Sequence, residues 1–224
     1  MVVESAPLQI VSSNPGYLRA KRVLDIVFTL LILLPLVLVI AIVALVIRLD
    51  SEGPIFFRQK RIGANGEEFT MFKFRSMHVD SNDAIHRQAV ERYMQGEILN
   101  REDQPGSLYK LSADPRITRV GRFIRRTSID ELPQFFNVLR GEMSLVGPRP
   151  PLLYEVDLYS SHDWLRLSGK PGLTGTWQVY ARSQVSFQEM VEMDIVYLEQ
   201  QSLWLDMKLI LLTPAIMVSG RGGA

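Results

Sequence analysis

The sequence predicts an α+β fold that is mostly helical: an N-terminal re-entrant membrane helix, a small β-hairpin and interfacial amphipathic helices around one core. Three observations predict it. Residues 26–47 form an uncharged apolar run, a turn sequence near residue 65 separates two apolar stretches, and several later stretches have helical composition. With 224 residues, of which 47% are hydrophobic and 22% charged, the chain can bury a single core.

The apolar run from Ile26 to Ile47 is the first element, and it contains no charged residue. As a helix it would extend about 33 Å, close to the ~30 Å thickness of bilayer hydrocarbon. It is too long for the apolar part of a cleaved signal peptide, and no small-residue cleavage site follows it. The simplest interpretation is therefore a transmembrane anchor.

Two features favour instead a re-entrant helix that breaks at Pro35 and leaves the membrane on the side it entered. Pro35 removes a backbone donor where no water can compensate for the loss. A spanning helix is expected to have basic residues mainly on one side. Here they flank both ends: Arg19, Lys21, Arg22, Arg48, Arg58, Lys60 and Arg61. Asp25 is expected to pair with Lys21 along the helix.

These features divide the chain into a flexible segment 1–17, a membrane helix 18–48 and a membrane-associated domain 49–224. Ile55 to Met77 is predicted to be a hairpin that turns at residues 64–66. Helices are expected over residues 83–99, 117–140 with a break near Thr127, and 185–201. The apolar stretch 207–218 is too short to span a bilayer. We expect it to lie on the membrane surface, although an ordinary core helix has the same composition.

The composition excludes several classes of function. The formal net charge is only +1, so we expect no nucleic-acid partner. The chain has no cysteine, which excludes disulfides, thiolate nucleophiles and Cys-ligated zinc. Its three histidines have no metal-ligand spacing. Any chemistry must therefore rest on carboxylates, hydroxyls and basic side chains.

The stretch 125–134 contains the residues best suited to chemistry. Pro133 is tolerated only in the first turn of a helix, so a helix is expected to begin near Asp130 and to end at Gly141. The Asp130 carboxylate would then lie at a helix N-terminus, where the helix dipole and nearby arginines such as Arg125 favour its charged form. This pattern predicts an ionised carboxylate held in a fixed position.

Helix capping offers an alternative explanation of the same residues. Aspartate is a common N-cap, and Ser128 with Glu131 fits a capping box. Capping does not explain the arginines upstream, which recur at spacings of three and four: Arg116, Arg119, Arg122, Arg125 and Arg126. They lead directly into a carboxylate pair at a helix start, where anions bind well.

Two further arginines lie in loops suited to phosphate. Pro148 and Pro150 stiffen the backbone on both sides of Arg149, which suits bidentate phosphate recognition, although a simple surface turn is the alternative. Arg182 follows the glycine-rich stretch 172–178. The sequence lacks a P-loop, a dinucleotide-binding glycine motif and a plausible Ser-His pair. Carboxylates and arginines fit phosphoryl transfer assisted by a divalent metal.

Two longer motifs resemble the bacterial sugar transferase family, the monotopic polyprenyl-phosphate phosphoglycosyl transferases. They are residues 128–134 (Ser-Ile-Asp-Glu-Leu-Pro-Gln) and residues 141–150 (Gly-Glu-Met-Ser-Leu-Val-Gly-Pro-Arg-Pro). The resemblance extends from about residue 18 to residue 220 in the order of the family. Supporting stretches are Lys21-Arg22-x-x-Asp25, residues 72–77, residues 114–118, residues 172–175 and Asp194-x-x-Tyr197.

The resemblance implies an activity. Asp130 would attack the β-phosphate of a UDP-sugar and release UMP, and polyprenyl phosphate would then accept the sugar phosphate. The catalytic residues would be Asp130 and Glu131, which together would hold Mg²⁺, or Mn²⁺ in its place. By the same resemblance, substrate-binding roles fall on Lys73, Arg75, Arg125, Arg149, Arg182 and Asp194.

The resemblance also implies the helix break near Pro35 and a location in the bacterial inner membrane, with the catalytic domain facing the cytoplasm. The partners would be a UDP-sugar, undecaprenyl phosphate and the bilayer, and a homodimer is compatible with the sequence. The reaction would open exopolysaccharide, capsule, O-antigen or glycoprotein glycan assembly. The identity of the sugar stays open.

Two alternatives to this activity are left open by the sequence. In the first, transfer takes place in one step through a ternary complex, with Asp130 binding only metal. In the second, the chain is a non-catalytic membrane-anchored scaffold whose arginines bind anionic lipid or a partner.

Overall fold

The computed structural model describes residues 14–79, 84–96, 116–181 and 185–218. Most of the segment predicted to be flexible, residues 1–13, therefore lies outside the described part. The helices are α1 Pro15–Asp50, α2 Ala84–Met94, α3 Arg119–Arg126, α4 Gln134–Arg140, α5 Leu153–Val156, α6 Thr176–Tyr180, α7 Phe187–Gln200 and α8 Leu203–Val218. The strands are β1 Phe56–Ile62, β2 Glu68–Phe74, β3 Ser144–Val146 and β4 Gly172–Thr174. Short 3₁₀ turns occupy Ala64–Gly66, Ile129–Glu131 and Asp163–Ser168.

Helix α1 begins three residues earlier than predicted. The Asn14 side chain caps it by accepting a 2.9 Å hydrogen bond from the Gly16 N–H, and Pro15 occupies a first-turn position that needs no donor. The helix then continues through Pro35 to Asp50. The predicted break at Pro35 is therefore not an end of the helix, because a proline removes one backbone hydrogen bond without ending every helix that contains it.

The middle of α1 exposes many apolar side chains. It is the one described helix long and apolar enough to cross a membrane, and only 11% of its most apolar window is buried. Its exposed apolar side chains include Leu30, Leu31, Leu34, Val37, Leu38, Ile42 and Leu45. A contiguous apolar surface of this kind marks contact with a membrane or a partner.

The β-hairpin is confirmed. Strands β1 and β2 pair antiparallel from Phe56 opposite Phe74 to Ile62 opposite Glu68. The turn between them places Asn65 at φ 57° and Gly66 at φ 82°, left-handed conformations that these two residue types accept most readily. Local turn chemistry therefore determines the register of this element.

A second, parallel sheet was not predicted. Strand β3 pairs with β4 through Ser144 opposite Gly172 and Val146 opposite Thr174. The backbones approach so closely that a Cβ on Gly147 would lie 2.3 Å from the Lys170 carbonyl oxygen. The absence of a side chain at Gly147 therefore allows the chain after β3 to lie directly against the chain before β4.

The main core lies between the β3–β4 sheet and helices α1, α4 and α8. Its fully buried side chains are Val138, Met143, Val146 and Leu209. Helix α8 starts at Leu203, four residues before the predicted stretch, and buries Leu209 while Trp204 stays 80% exposed and Leu211 68% exposed. Because α8 is apolar on both sides, it is not the amphipathic helix that was expected. It combines a core-facing side with an exposed apolar side.

Candidate active site

The Asp130–Glu131 pair lies in the 3₁₀ turn between α3 and α4. Its apolar neighbours Ile129 and Leu132 pack against a cluster formed by Ile47, Phe74 and Ile124, which ties the turn to both α1 and β2. Asp130 and Glu131 lie between these two anchored residues, and both are partly exposed. The turn is therefore fixed by its apolar side chains while its acids face the surface.

The capping alternative is wrong. Ser128, which precedes the turn, adopts the left-handed conformation at φ 55° and its side chain makes no capping hydrogen bond. The following helix α4 is preceded by Pro133, also without a side-chain cap, and ends as predicted at Gly141, with φ 81°. A non-glycine residue held in the left-handed region stores strain, which is common at functional sites.

Glu131 pairs with Lys73 instead of capping a helix. The Lys73 ammonium lies 2.9 Å from the Glu131 carboxylate, with 23% and 42% of the two side chains exposed. Strand β2 carries Lys73 between Phe72 and the buried Phe74, so the strand directs this charge towards the 3₁₀ turn. An ion pair this exposed contributes at most about 1 kcal/mol, so another cation or anion can replace either partner.

The Pro148-Arg149-Pro150 loop is held through its carbonyl groups. The Pro148 carbonyl accepts from the Gly172 N–H at 2.8 Å, and the Pro151 carbonyl accepts from the Ile62 N–H at 3.0 Å. Between them, the Arg149 and Pro150 carbonyls each accept from a buried arginine side chain. The backbone of the loop is therefore fixed at four successive residues, and the partly exposed Arg149 side chain extends from a rigid support.

Those two arginines, Arg61 and Arg166, were missed by the sequence analysis. Arg61 donates to the Pro150 carbonyl at 2.9 Å and Arg166 to the Arg149 carbonyl at 3.2 Å, and their exposures are 5% and 2%. Burial, and then the charge of nearby Arg149, lowers the pKa of Arg61 to about 10. Arg61 therefore stays charged at neutral pH and adds to the positive potential around Arg149.

The sequence contains a signal for Arg166 but none for Arg61, which follows the polar residues 58–60. Arg166 lies between Leu165 and Leu167. An arginine inside an apolar stretch is rarely buried unless it is paired. Such a position therefore indicates a partner elsewhere in the chain.

Asp194, expected among the substrate-binding residues, lies behind the loop. Its side chain is 1% exposed and is 2.5 Å from Arg166 Nη2. Burial raises the pKa of Asp194 to about 6, because water no longer solvates the charge, while Arg166 opposes that rise. Asp194 holds Arg166, which in turn holds the Arg149 carbonyl, so it positions the loop from the interior. Asp194 therefore differs from the predicted substrate-binding role because it is buried, and a buried carboxylate requires a cationic partner.

Arg75, also expected to bind substrate, is placed at the end of α1. Its guanidinium donates to the Ser51 carbonyl at 2.6 Å and to the Ile47 carbonyl at 3.2 Å. These carbonyls belong to the C-terminal end of a helix, where positive charge is favoured. Arg75 is only 5% exposed and contacts the end of α1, so it is not part of the surface around Asp130.

The remaining predicted residues are distributed as follows. Arg125 is partly exposed in the last turn of α3, five residues before Asp130. Arg182 lies outside the described residues. Lys73 of strand β2 pairs with Glu131, and Ile62 of the adjacent strand β1 donates to the Pro151 carbonyl, so the hairpin contacts both the carboxylate turn and the end of the loop. The structure therefore brings the carboxylate turn and the Pro148–Pro150 loop into one neighbourhood.

Arg149 also lines a small open cavity. Glu155 and Arg166 provide the other polar groups of the lining, and Tyr93 and Phe187 are among its aromatic ones.

Helix α1 is hydrogen-bonded to the elements next to both candidate segments. Arg22 donates to the Val138 and Leu139 carbonyls at 2.5 and 2.7 Å, at the end of α4. Asp25 accepts from the Ser144 hydroxyl at 3.0 Å and from the Leu145 N–H at 2.9 Å, in the strand that leads to Arg149. Helix α1 therefore helps to position the candidate site.

The expected pairing of Asp25 with Lys21 is wrong. Lys21 lies 2.8 Å from Asp206, and the Tyr197 hydroxyl donates to the same carboxylate at 2.6 Å. The Tyr17 hydroxyl donates to it as well, at 2.9 Å, and these three contacts offset the cost of burying the Asp206 carboxylate. The consequence is a polar contact between α1 and α8 in place of a local pair within α1.

Comparisons with known proteins identify the family of this chain. A model of the family described as bacterial sugar transferase matches residues 16–220. The galactosyl transferase CpsE of Streptococcus agalactiae is 44% identical over 208 residues, which cover 92% of this chain and 44% of CpsE. The UDP-glucose:undecaprenyl-phosphate glucose-1-phosphate transferase of Escherichia coli is 39% identical over 201 residues, covering 86% of this chain and 39% of that protein.

A third relative is similar in length. The exopolysaccharide production protein ExoY of Rhizobium meliloti is 36% identical over 203 residues, which cover 89% of this chain and 86% of ExoY. The chain thus spans less than half of CpsE and of the Escherichia coli protein, and most of ExoY. With the family model matching from residue 16 to residue 220, the chain belongs to the bacterial sugar transferase family.

Proposed function

We propose that this chain is a phosphoglycosyl transferase that moves a sugar-1-phosphate from a UDP-sugar to undecaprenyl phosphate, with Asp130 as the nucleophile. The observation that carries the proposal is the neighbourhood of a partly exposed Asp-Glu turn and the rigid Pro148-Arg149-Pro150 loop, both contacted by the β1–β2 hairpin. The names of relatives support the substrates, since one is named for UDP-glucose and undecaprenyl phosphate.

In the first half of the reaction a carboxylate oxygen of Asp130 attacks the β-phosphorus of the donor. An acyl-phosphate bond forms, the bond from the β-phosphorus to the bridging oxygen breaks, and UMP leaves with the electron pair. Two like unit charges 4 Å apart repel by about 4 kcal/mol at an effective dielectric of 20. Arg149, with Arg61 behind it, offsets that repulsion between the carboxylate and the diphosphate.

In the second half a phosphate oxygen of undecaprenyl phosphate attacks the same phosphorus. The acyl-phosphate bond breaks, the Asp130 carboxylate is regenerated, and the product is a polyprenyl diphosphate sugar. One phosphoanhydride replaces another, so the exchange needs no external energy source. The acceptor stays in the bilayer, which requires the site to lie at the membrane surface. The bonds from α1 to α4 and β3 support that location.

Mg²⁺ would be held by Asp130 and Glu131. Within the described ranges no three His, Asp or Glu side chains converge on one point, so a closed protein cage for a metal is not formed there. Mg²⁺ commonly takes only one or two protein carboxylates and completes its shell with water and substrate phosphates, which an adjacent Asp-Glu pair fits. Bound there, it would supply positive charge for the diphosphate. Lys73 pairs with Glu131 at 2.9 Å and orients that carboxylate.

We also propose that α1 is re-entrant. Lys21 contacts α8, and Ile47, 26 residues later, packs with Phe74 and Ile124 of the same domain. A straight helix would separate these two points by about 39 Å, more than the ~30 Å hydrocarbon thickness. A spanning α1 would place them on opposite sides of the bilayer. Contact of both ends with one domain supports a helix that enters and leaves one leaflet, bending at Pro35.

This topology places the catalytic domain on a single face of the membrane, which we infer to be the cytoplasmic face of the bacterial inner membrane, where nucleotide sugars are available. The reaction would then be the first membrane step of exopolysaccharide, capsule, O-antigen or glycoprotein glycan assembly. Relatives named for exopolysaccharide production support the first of these.

A donor panel tests the activity. The purified full chain is incubated with undecaprenyl phosphate, Mg²⁺ and each of several UDP-sugars, and UMP release is measured. Asp130→Asn is expected to lose at least about 10³-fold in rate, because the amide is not a nucleophile for phosphorus. Asp157→Asn, an exposed aspartate on another helix end, is the matched control and should retain activity. Full UMP release by Asp130→Asn would show that the nucleophile is another group.

Labelling of single cysteines tests the topology, because the chain has no cysteine of its own. Arg19→Cys and Glu52→Cys place a thiol near each end of α1, both at exposed positions. The re-entrant helix predicts that a membrane-impermeant reagent reaches both thiols from the same side of sealed vesicles. Labelling of the two positions from opposite sides would mean that α1 spans the membrane.

A further inference from the structure

Two of the family motifs in this sequence take no direct part in the proposed reaction. They are residues 21–25 of α1 and residues 194–197 of α7, which are far apart in sequence. In the structure they meet, because the Lys21 ammonium donates to the Tyr197 hydroxyl at 3.2 Å. Both motifs also lie against β3. Two helices therefore bring their motifs to the same three-residue strand.

Strand β3 has too few residues to hold its position alone. It is three residues long, and within the described ranges it pairs with one strand, β4. A two-stranded sheet this small is marginal without further contacts. On the β4 side, the Ser144 N–H donates to the Pro171 carbonyl at 2.8 Å. The next N–H, that of Leu145, points to the opposite side, so its acceptor must come from another element.

The Asp25 carboxylate supplies that acceptor. Its Oδ1 accepts from the Leu145 N–H at 2.9 Å and from the Ser144 hydroxyl at 3.0 Å. All three residues are buried, so water cannot replace the carboxylate if it is removed. The position of β3 on its free side is therefore set by where α1 places Asp25.

Tyr197 and Asp206 determine where α1 places Asp25. Lys21, one turn before Asp25, donates to the Asp206 carboxylate at 2.8 Å as well as to Tyr197. The Tyr197 hydroxyl donates to Asp206 at 2.6 Å and lies 3.3 Å from the Val146 carbonyl oxygen. Because Asp206 and Tyr197 are 0% and 2% exposed, this network has no water with which to exchange its partners. The first turns of α1 are therefore fixed relative to α7 and β3.

Strand β3 leads directly into the loop that carries Arg149. Its last residue, Val146, is three residues before Arg149, so a shift of the strand moves the start of the loop. Asp194, one turn before Tyr197 on α7, holds Arg166, and the Arg166 side chain donates to the Arg149 carbonyl. Helix α7 therefore supports the loop both where it begins and in its middle.

We propose that Asp25 and Tyr197 are positioning residues for Arg149, because they hold β3 on the side that β4 leaves free. The proposal rests on the proposed function, in which Arg149 faces the donor diphosphate. A displacement of about 1 Å at a group that contacts a reacting phosphate can lower the rate by about 10²-fold. The carbonyl contacts of the loop remain when Asp25 or Tyr197 is changed, so we expect a loss of about tenfold.

A double-mutant cycle tests whether the two residues act through Arg149. The full chain is assayed for UMP release with undecaprenyl phosphate, Mg²⁺ and the UDP-sugar that the donor panel identifies. Asp25→Ala and Tyr197→Phe should each lower kcat about tenfold and change KM for the UDP-sugar by less than about threefold. In an Arg149→Ala background the same changes should lower kcat by less than about twofold, because the group that they position is gone. Equal losses in the two backgrounds would overturn the proposal.

Asp50→Ala is the matched control. Asp50 is a carboxylate of the same helix that also accepts from a backbone N–H, that of Val120 at 3.2 Å. Any loss it causes should be the same with and without Arg149, because α3 does not lead into that loop. Asp25→Asn keeps an oxygen acceptor for the Leu145 N–H and should keep kcat within about threefold of the parent. A loss as large as that of Asp25→Ala would mean that the charge matters and the hydrogen bonds do not, contrary to the proposal.

Amide hydrogen exchange separates this proposal from the reaction, because it needs no substrate. In the full chain, Asp25→Ala should speed exchange in peptides covering residues 143–149, and Asp50→Ala should speed it at residues 118–126 instead. Tyr197→Phe keeps the ring and provides both tests if Asp25→Ala does not fold. Exchange at residues 143–149 that neither variant changes would overturn the proposal. The expected exchange pattern in a parent that releases no UMP would overturn the proposed function alone.

Discussion

Two ion pairs support the proposed site, and they differ in how much water reaches them. Behind the Pro148–Pro150 loop, Arg166 and Asp194 lie 2.5 Å apart with side chains 2% and 1% exposed. At the carboxylate turn, Lys73 and Glu131 lie 2.9 Å apart with side chains 23% and 42% exposed. The first pair belongs to the interior, and the second lies where substrate and metal would arrive.

The difference shows how one site can be both rigid and exchangeable. A buried pair cannot lose one partner without leaving a charge in the interior, so its geometry is constant. A half-exposed pair is worth at most about 1 kcal/mol and can exchange its partner for a phosphate or a cation. The interior pair therefore positions Arg149, while the surface pair keeps Glu131 oriented until ligands bind.

The largest effect is expected from breaking the buried pair. Asp194→Ala leaves the Arg166 charge without its partner and should lower the free energy of unfolding by about 3–5 kcal/mol, measured by denaturant titration. Glu192→Ala is the control on the same helix, since Glu192 forms an exposed pair with His162. It should change stability by less than about 0.5 kcal/mol. Equal losses in the two variants would mean that burial does not distinguish these pairs.

The next effect concerns pH. Burial raises the pKa of Asp194 to about 6 from 3.8, so the folded protein binds this proton more tightly than the unfolded chain does. The contribution of Asp194 to stability is therefore highest below pH 4 and falls as pH rises through 6. Comparison of the parent with Asp194→Asn across this range isolates the effect. Parallel stability curves for the two proteins would contradict the raised pKa.

Activity should move in the opposite direction over the same range. Below pH 6 the protonated Asp194 no longer neutralises Arg166, so the support of the Arg149 carbonyl weakens. One pH unit below the pKa only about a tenth of Asp194 remains charged, so the activity that depends on the charged form should fall about tenfold. UMP release should therefore fall between pH 7 and pH 5 in the parent and stay low and flat in Asp194→Asn. A fall of the same size in the variant would assign the titration to another group.

A smaller effect is expected at Arg61. Arg61→Met removes the donor to the Pro150 carbonyl and leaves a buried acceptor unsatisfied, at a cost of about 1–3 kcal/mol. Because the loop then loses one of its fixed points, kcat should fall more than KM rises. Lys60→Met is the neighbouring control, with a side chain that is 68% exposed. Unchanged kcat in a stable Arg61→Met protein would argue against a positioning role.

The smallest change in stability is expected at Lys73. Lys73→Met breaks only the half-exposed pair with Glu131 and should alter the free energy of unfolding by less than about 1 kcal/mol. The rate of UMP release should nevertheless fall by about 10²-fold, because a positive charge beside the reacting phosphate is lost. Activity retained by Lys73→Met would remove Lys73 from the site, and a large loss of stability would show that the surface pair is structural.

Local patterns predicted the elements that local chemistry determines. The turn at Asn65 and Gly66, the end of α4 at Gly141 and the apolar α1 each depend on residues adjacent in sequence, and the structure contains all three. The sequence predicted a helix that begins near Asp130, whereas α4 begins at Gln134 and Asp130 lies in the 3₁₀ turn before it. Features whose causes lie within a few residues can be predicted from the sequence.

Long-range partners could not be predicted in this way. Strands β3 and β4 are three residues each, too short for a periodic pattern, and they pair across an intervening 3₁₀ turn. Asp25 bonds to β3 and not to Lys21, because burial of α1 against the sheet decides its partner. Arg75 and Asp194 were assigned to substrate by motif, and their burial became visible only with the fold.

The central claim is that Asp130 bonds covalently to phosphorus beside the fixed Arg149 loop. Mass spectrometry of the intact full chain, incubated with a UDP-sugar and Mg²⁺ but without undecaprenyl phosphate, tests it most directly. We predict one phosphosugar added per chain, located on Asp130 by peptide mapping, equal in amount to the UMP released and removed when undecaprenyl phosphate is added. UMP release that requires the acceptor and never yields an adduct would contradict the claim and favour one-step transfer.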